Sequence, residues 1–176
     1  MKTRGFEIVS VYENSGIHLP QRKTGASTGY DFAAAETVAI PSGECALVPT
    51  GVKAYMQPDE VLLIYIRSST ALKKRLMLMN SVGVIDADYY GNAENEGHIY
   101  IPLYNYGKET VFIEAGERIA QGIFTSYLTV DGDAAGRGAA RADSARRGIF
   151  DRKTNLIYND DVLIQTRIPA SVWEML

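Results

Sequence analysis

The stretch ETVFIEAGERIAQGIF, residues 109–124, sets the fold class. Two runs rich in β-branched and aromatic residues are parted by a Gly-bearing turn, the mark of strand, turn, strand. TVAIPSGECALVPTGV (37–52) is built the same way around Pro41-Ser42-Gly43, and Gly-Glu falls at the same place in both. The pair predicts two look-alike hairpins in a quasi-repeated sheet. Upstream, FEIVSVY (6–12) alternates apolar with polar as a half-buried strand does. VLLIYIR (61–67) is a longer apolar run, expected to be a central strand buried on both faces, and RLMLMN and SVGVID (75–86) continue in that style. HIYIPLYN (98–105) follows a polar loop, GNAENEG, and its Pro102 cannot donate to a ladder, which predicts an edge strand or a bulge there. Only TALKKRL (70–76) reads as helical before residue 135. Many short strands with Gly and Pro turns indicate an all-β domain with very little helix, a distorted antiparallel β-barrel or jelly-roll.

The chain has 176 residues, 46% of them hydrophobic, which suffices for one ordinary core. Eighteen basic and 21 acidic residues leave a net charge of -3. That balance argues against direct nucleic-acid binding, so any phosphate must be met by a few placed groups. Cys45 is the only cysteine, which excludes an intrachain disulfide, and with His18 and His98 it is too little for a structural zinc site. MKTRGFEIVS has no apolar stretch of signal-peptide length and no segment is long enough to span a bilayer, so the expectation is a cytoplasmic protein without a membrane.

After Leu128 the composition changes. Residues 1–128 form the expected β-barrel domain. The Arg/Gly/Ala-rich stretch 129–154 sets six basic residues (Arg137, Arg141, Arg146, Arg147, Arg152, Lys153) against four aspartates (Asp131, Asp133, Asp143, Asp151). It reads either as a mobile arm that orders on an anionic ligand or as a solvated linker or short surface helix. Residues 155–176 are apolar again and hold the only tryptophan, as one more strand or a docked tail.

Several fragments carry chemistry. Arg67-Ser68-Ser69 closes the strand 61–67 and precedes the short helical segment, and hydroxyls and amides at a helix start beside a guanidinium make a phosphate site. Gln121 adds an amide donor, Asn80 an amide edge for a base, and Tyr89 a flat face for a sugar or ring. Asp86 ends the apolar strand in GVIDADYYG (83–91). Alone it would be a turn former; in this company it is a carboxylate able to orient water. The set describes a pocket for a base, a sugar and phosphates.

The order of these motifs resembles the trimeric dUTPase (deoxyuridine triphosphatase) family. TGYDFAAAE (28–36) is similar to its first motif, RSS (67–69) to the second, NSVGVIDADYYG (80–91) to the third and GERIAQGIF (116–124) to the fourth. The resemblance implies dUTP hydrolysis to dUMP and pyrophosphate in a homotrimer with active sites at its interfaces. It implies that the third motif is a β-hairpin receiving uracil on Asn80 and the main chain from Gly83 to Ile85. Tyr89 would pack on the deoxyribose and exclude a 2′-hydroxyl. Asp86 would orient and help deprotonate the water that attacks the α-phosphorus. Arg67, Ser68, Ser69 and Gln121 would hold phosphates, and Mg²⁺ would be carried mainly by phosphates and water. Asp31 would orient neighbouring groups and magnesium-bound water, or else stabilise a turn.

The family's fifth motif is a glycine-rich tail that closes over the nucleotide. Here its nearest counterpart is RRGIFDRKT (146–154), in which Arg146, Gly148 and Phe150 fall in place while Ile149 and Asp151 replace glycines. Phe150 would stack over uracil and Arg146 would reach phosphate. The altered tail and the extension beyond it motivate a second reading, a nucleotide-binding regulatory protein that contacts a protein partner. A third, deoxycytidine triphosphate deamination, requires a glutamate on the strand after the third motif, and HIYIPLYN has none.

Overall fold

The computed structural model describes residues 2–133 and the backbone of 150–151 and 156–157. The apolar runs become strands β1 (Gly5–Ile8), β2 (Gln21–Arg22), β3 (Tyr30–Ala33), β4 (Val38–Ile40), β5 (Cys45–Pro49), β6 (Val52–Tyr55) and β7 (Glu60–Ile66). After helix α1 (Ser68–Lys74) come β8 (Leu76–Leu78), β9 (Gly83–Asp86), β10 (Tyr100–Asn105), β11 (Val111–Ile113) and β12 (Arg118–Ser126). The chain divides into units Met1–Ala135 and Gly136–Leu176. In the second, β13 (Phe150–Asp151) pairs antiparallel with β14 (Leu156–Ile157).

The first unit is a distorted antiparallel β jelly-roll. A five-stranded sheet runs β2-β3-β12-β7-β9 and a three-stranded one β5-β10-β8, with β1-β6 and β4-β11 as two-stranded pieces. Phe32, Leu62, Ile64 and Ile119 from the larger sheet meet Val48, Leu76, Ile101 and Leu103 from the smaller one in a single core. Burying such side chains supplies about 1.5–3 kcal/mol each, the main drive for closing the sheets on one another. No helix among the described residues is long and apolar enough to cross a membrane.

Both expected hairpins are corners instead. β4 pairs with β11, while β5 goes to β10 and β12 to β3 and β7. The look-alike first strands thus pair with each other and the second strands enter different sheets. Gly43 and Gly116 sit at matching turns with φ of 77° and 80°, a region that a side chain resists. The pattern encodes the turn and leaves the pairing to burial.

Three other expectations are corrected. The strand at FEIVSVY stops at Ile8: the Ser10 amide donates to the Glu96 carboxylate at 3.2 Å, and Tyr12 N–H closes a 3₁₀ turn on the Val9 carbonyl at 2.9 Å. Helix α1 begins at Ser68, ahead of the stretch that reads as helical. Pro102 lies in the middle strand of its sheet, without a bulge. Met79 N–H donates to the Pro102 carbonyl at 3.0 Å, so the proline nitrogen faces the same way, where the β8 ladder has already ended. Opposite Leu47 it occupies a position that needs no donor.

His98 is buried, 3% exposed, and its Nε2 accepts the Gly51 N–H at 2.9 Å. The Tyr100 ring lies 4.1 Å away between centroids. Burial pushes its pKa down to about 4, so the imidazole is neutral and carries its proton on Nδ1. The unfolded chain takes up the proton first. Stability is whole above pH 6.5 and falls towards pH 4, by about 3 kcal/mol if nothing relaxes. Urea midpoints between pH 7 and 4.5 check this: His98→Gln should start lower and show a shallower pH slope than wild type.

Candidate active site

Three neighbouring strands end at one place. Asp31 of β3 stands opposite Gln121 of β12, and Gln121 stands opposite Tyr65 of β7, whose continuation is Arg67. The Arg67 backbone N–H donates to the Ile119 carbonyl at 3.2 Å, which fixes where the guanidinium leaves the sheet. Asp31 then holds two guanidinium groups: Oδ1 meets Arg67 Nε at 2.9 Å and Oδ2 meets Arg118 Nη1 at 3.1 Å. Arg67 Nη1 also donates to the Arg118 carbonyl at 3.3 Å. Asp31 is therefore a strand residue that orients arginines, and the turn reading falls away.

Asp31 and Arg67 line a polar cleft of about 290 Å³ with Ser68, Ser69, Gln121, Lys23, Ser27 and Gly29. At Gly29 a Cβ would stand 2.6 Å from Gln121 Oε1, so the glycine is what lets the amide lie in the cleft. The structure brings together Asp31, Arg67, Ser68, Ser69 and Gln121 of the residues expected from sequence, and adds Lys23, Ser27 and Gly29 to the lining and Arg118 beside Asp31. The overlooked signal was the RKTGAST turn. Thr24 and Ser27 bond reciprocally, with hydroxyls 2.8 Å apart, and Arg22 Nη1 caps the carbonyls of Gly25 and Ser27 at 2.9 and 3.1 Å. A braced turn thus delivers Lys23 to the cleft.

The other expected residues lie elsewhere. β9 pairs only with β7 among the described residues, so its outer edge leaves alternate N–H and C=O groups available, which suits recognition of a base by main chain. Asn80 sits in the preceding turn, its Nδ2 3.8 Å from where a Cβ on Gly83 would be. The hairpin expected over residues 80–91 is instead the single strand β9, paired with β7, followed by the 3₁₀ turn Ala87–Tyr89. Ile85 and Asp86 are half-buried. Tyr89, in a 3₁₀ turn over Ala87–Tyr89, donates its hydroxyl to the His98 carbonyl at 3.0 Å and accepts from Asn95 Nδ2 at 2.8 Å.

Asp86 is in register with Val61 at the start of β7, whereas Arg67 follows its end. Six residues of strand separate them, about 20 Å at 3.3 Å per residue. One copy of the chain therefore presents the two halves of the expected pocket far apart. Arg146 lies outside the described residues, and of Phe150 only the backbone pairing in β13 is described.

The sequence profile of the dUTPase family matches residues 15–144. The deoxyuridine 5'-triphosphate nucleotidohydrolase of Lactococcus lactis is 56% identical over 133 residues, covering 76% of this chain and 89% of its own length. The chain belongs to the dUTPase family. A second member, from Chlamydia felis, is 38% identical over 111 residues, covering 62% of this chain and 71% of its own. The crystal structure of dUTPase from Streptococcus mutans superposes with a TM-score of 0.70 at 52% identity, covering 73% of this chain and 99% of that one. The family match thus takes in both halves of the pocket and leaves residues 145–176 outside it.

Proposed function

We propose that this dUTPase-family chain hydrolyses dUTP to dUMP and pyrophosphate at sites shared between subunits of a homotrimer. The observation that carries this reading is the separation along β7. Asp86 and the Arg67–Ser68 cleft must act on the same phosphate chain, yet they stand about 20 Å apart in one copy. A second copy can bring its β9 edge to the first copy's cleft. A surface for association is present: on the outer face of the β5-β10-β8 sheet, Tyr104 lies between Cys45 and Met77, and Pro102 beside Leu47. Leu47, Met77, Met79 and Tyr100 are all exposed there, an apolar patch of the kind that subunits cover.

In the assembled site, uracil meets Asn80 and the β9 main chain from Gly83 to Ile85. A donor and acceptor pattern set for uracil leaves cytosine mispaired and its partners unsatisfied. Tyr89 packs on the deoxyribose. Asp86 orients a water and accepts its proton as the oxygen attacks the α-phosphorus. The bond to the α,β-bridging oxygen breaks and pyrophosphate leaves, with Arg67, Ser68 and Gln121 facing the charge that develops. Ser69 adds a phosphate contact, and Arg146 and Phe150 of the tail are the proposed phosphate and uracil contacts that close the site.

Asp31, the one carboxylate among the described residues that line the cleft, has both oxygens on guanidinium groups. Among the described residues no group of three or more His, Cys, Asp or Glu is placed to hold a metal. Such a donor set fits Mg²⁺ carried by the triphosphate and water, where it would neutralise phosphate charge. Asp31 then acts through Arg67 and Arg118.

The test is incubation of the purified protein with Mg²⁺ and dUTP, dCTP, dTTP or UTP. Selective release of pyrophosphate from dUTP is expected. Binding of dUTP without turnover would favour the regulatory reading instead. Lys23→Gln tests the cleft separately. It should raise the KM for dUTP by about tenfold with a smaller change in kcat, because one phosphate cation is lost and Asp86 is untouched. An unchanged KM would remove Lys23 from the site.

A further inference from the structure

The segment Asn92–Gly97 reads in sequence as a polar loop, but it folds back on Tyr89. It grips that residue at both ends. Asn92 Nδ2 donates to the Tyr89 carbonyl at 2.8 Å, and Asn95 Nδ2 donates to the Tyr89 hydroxyl at 2.8 Å. The hydroxyl's own proton goes to the His98 carbonyl, just past the segment's end. Asn95 cannot turn its amide over. Its Oδ1 accepts from Asn92 Nδ2 at 2.8 Å and from Gly97 N–H at 3.0 Å, so a flip would set donors against donors. The segment is tied down in turn through Glu96, which meets Lys53 Nζ at 2.8 Å and both the amide and the hydroxyl of Ser10.

We infer that this segment is a specificity element in which Asn95 positions the Tyr89 ring and so sets the space left beside the sugar's 2′ carbon. The inference rests on the reading of Tyr89 as the deoxyribose platform. A half-buried ring on a short 3₁₀ turn keeps two torsions, and packing on one side alone does not fix them. Hydrogen bonds to the hydroxyl from two directions do. A ring held at one tilt rejects a 2′-hydroxyl by contact, and a ring free to tilt makes room for it.

Three variants separate the positioning role from the platform role, with the kcat/KM ratio of dUTP over UTP as the readout. Tyr89→Ala should collapse the ratio. Tyr89→Phe keeps the ring but releases both hydroxyl bonds, and Asn95→Ala releases one of them; each should lower the ratio by about tenfold. The double variant should fall no further than Tyr89→Phe, because both changes undo one contact. A general loss of stability would lower both substrates together and leave the ratio alone. If Asn95→Ala fails to fold, Tyr89→Phe still decides. Collapse in Tyr89→Ala with wild-type ratios in Tyr89→Phe and Asn95→Ala would overturn the inference and leave the platform standing. An unchanged ratio in Tyr89→Ala would remove the platform and the inference with it.

Discussion

Asp86→Asn is expected to abolish pyrophosphate release from dUTP, lowering kcat by about a thousandfold, while dUTP still binds. Asparagine has the shape of aspartate but cannot take a proton from water. The fold should tolerate the change. The backbone of β9 stays in register with β7 through residues 61–64 whatever the side chain at 86. Single-turnover kinetics beside a direct binding measurement separate the two effects. Retained turnover would exclude Asp86 from the mechanism, and lost binding would make it a structural residue.

Arg67→Ala should be as damaging, with kcat/KM for dUTP down by about a thousandfold. The guanidinium is held by Asp31 Oδ1 at 2.9 Å and by the Arg118 carbonyl at 3.3 Å. That double hold aims its remaining N–H groups into the cleft. Its removal takes away a cation and leaves Asp31 nearer to balance with Arg118 alone. Arg67→Lys restores the charge but not the fork, so it should recover no more than about a tenth of the loss in free-energy terms. Full recovery by lysine would show that charge alone is needed. Steady-state kinetics on the two variants give the answer.

The parts of this molecule that were legible in sequence are the local ones. Turn chemistry at Gly43 and Gly116 and the apolar run of β7 follow from neighbours in the chain. Part of the polar cleft was legible because Arg67 and Ser68 are adjacent and Gln121 lies within a recognisable strand. Pairing was not. β4 finds β11, more than seventy residues on, and nothing in VAI (38–40) distinguishes that partner from the nearby β5. Arg118 was missed for a similar reason, since its backbone is in register with Ala33 and its side chain reaches back to Asp31; Lys23 was missed because a braced turn, outside any strand, delivers it to the cleft. The Asn92–Gly97 segment looked like loop because its bonds are made by side chains to Tyr89, Ser10 and Lys53, which leave no periodic trace. The distance between Asp86 and Arg67 is also a product of register, and it is what turns a familiar set of motifs into a claim about subunits.

That claim is tested most directly by mixing. Asp86→Asn and Arg67→Ala proteins, each inert alone, are combined at equal amounts, dissociated and reassembled, and assayed with dUTP and Mg²⁺. In a cyclic trimer every mixed assembly has one interface where an intact Arg67 cleft meets an intact Asp86, so activity should return to about a quarter of wild type. No recovery, with subunit exchange verified by mass, would place Asp86 and Arg67 in the site of a single chain and contradict the shared-site account.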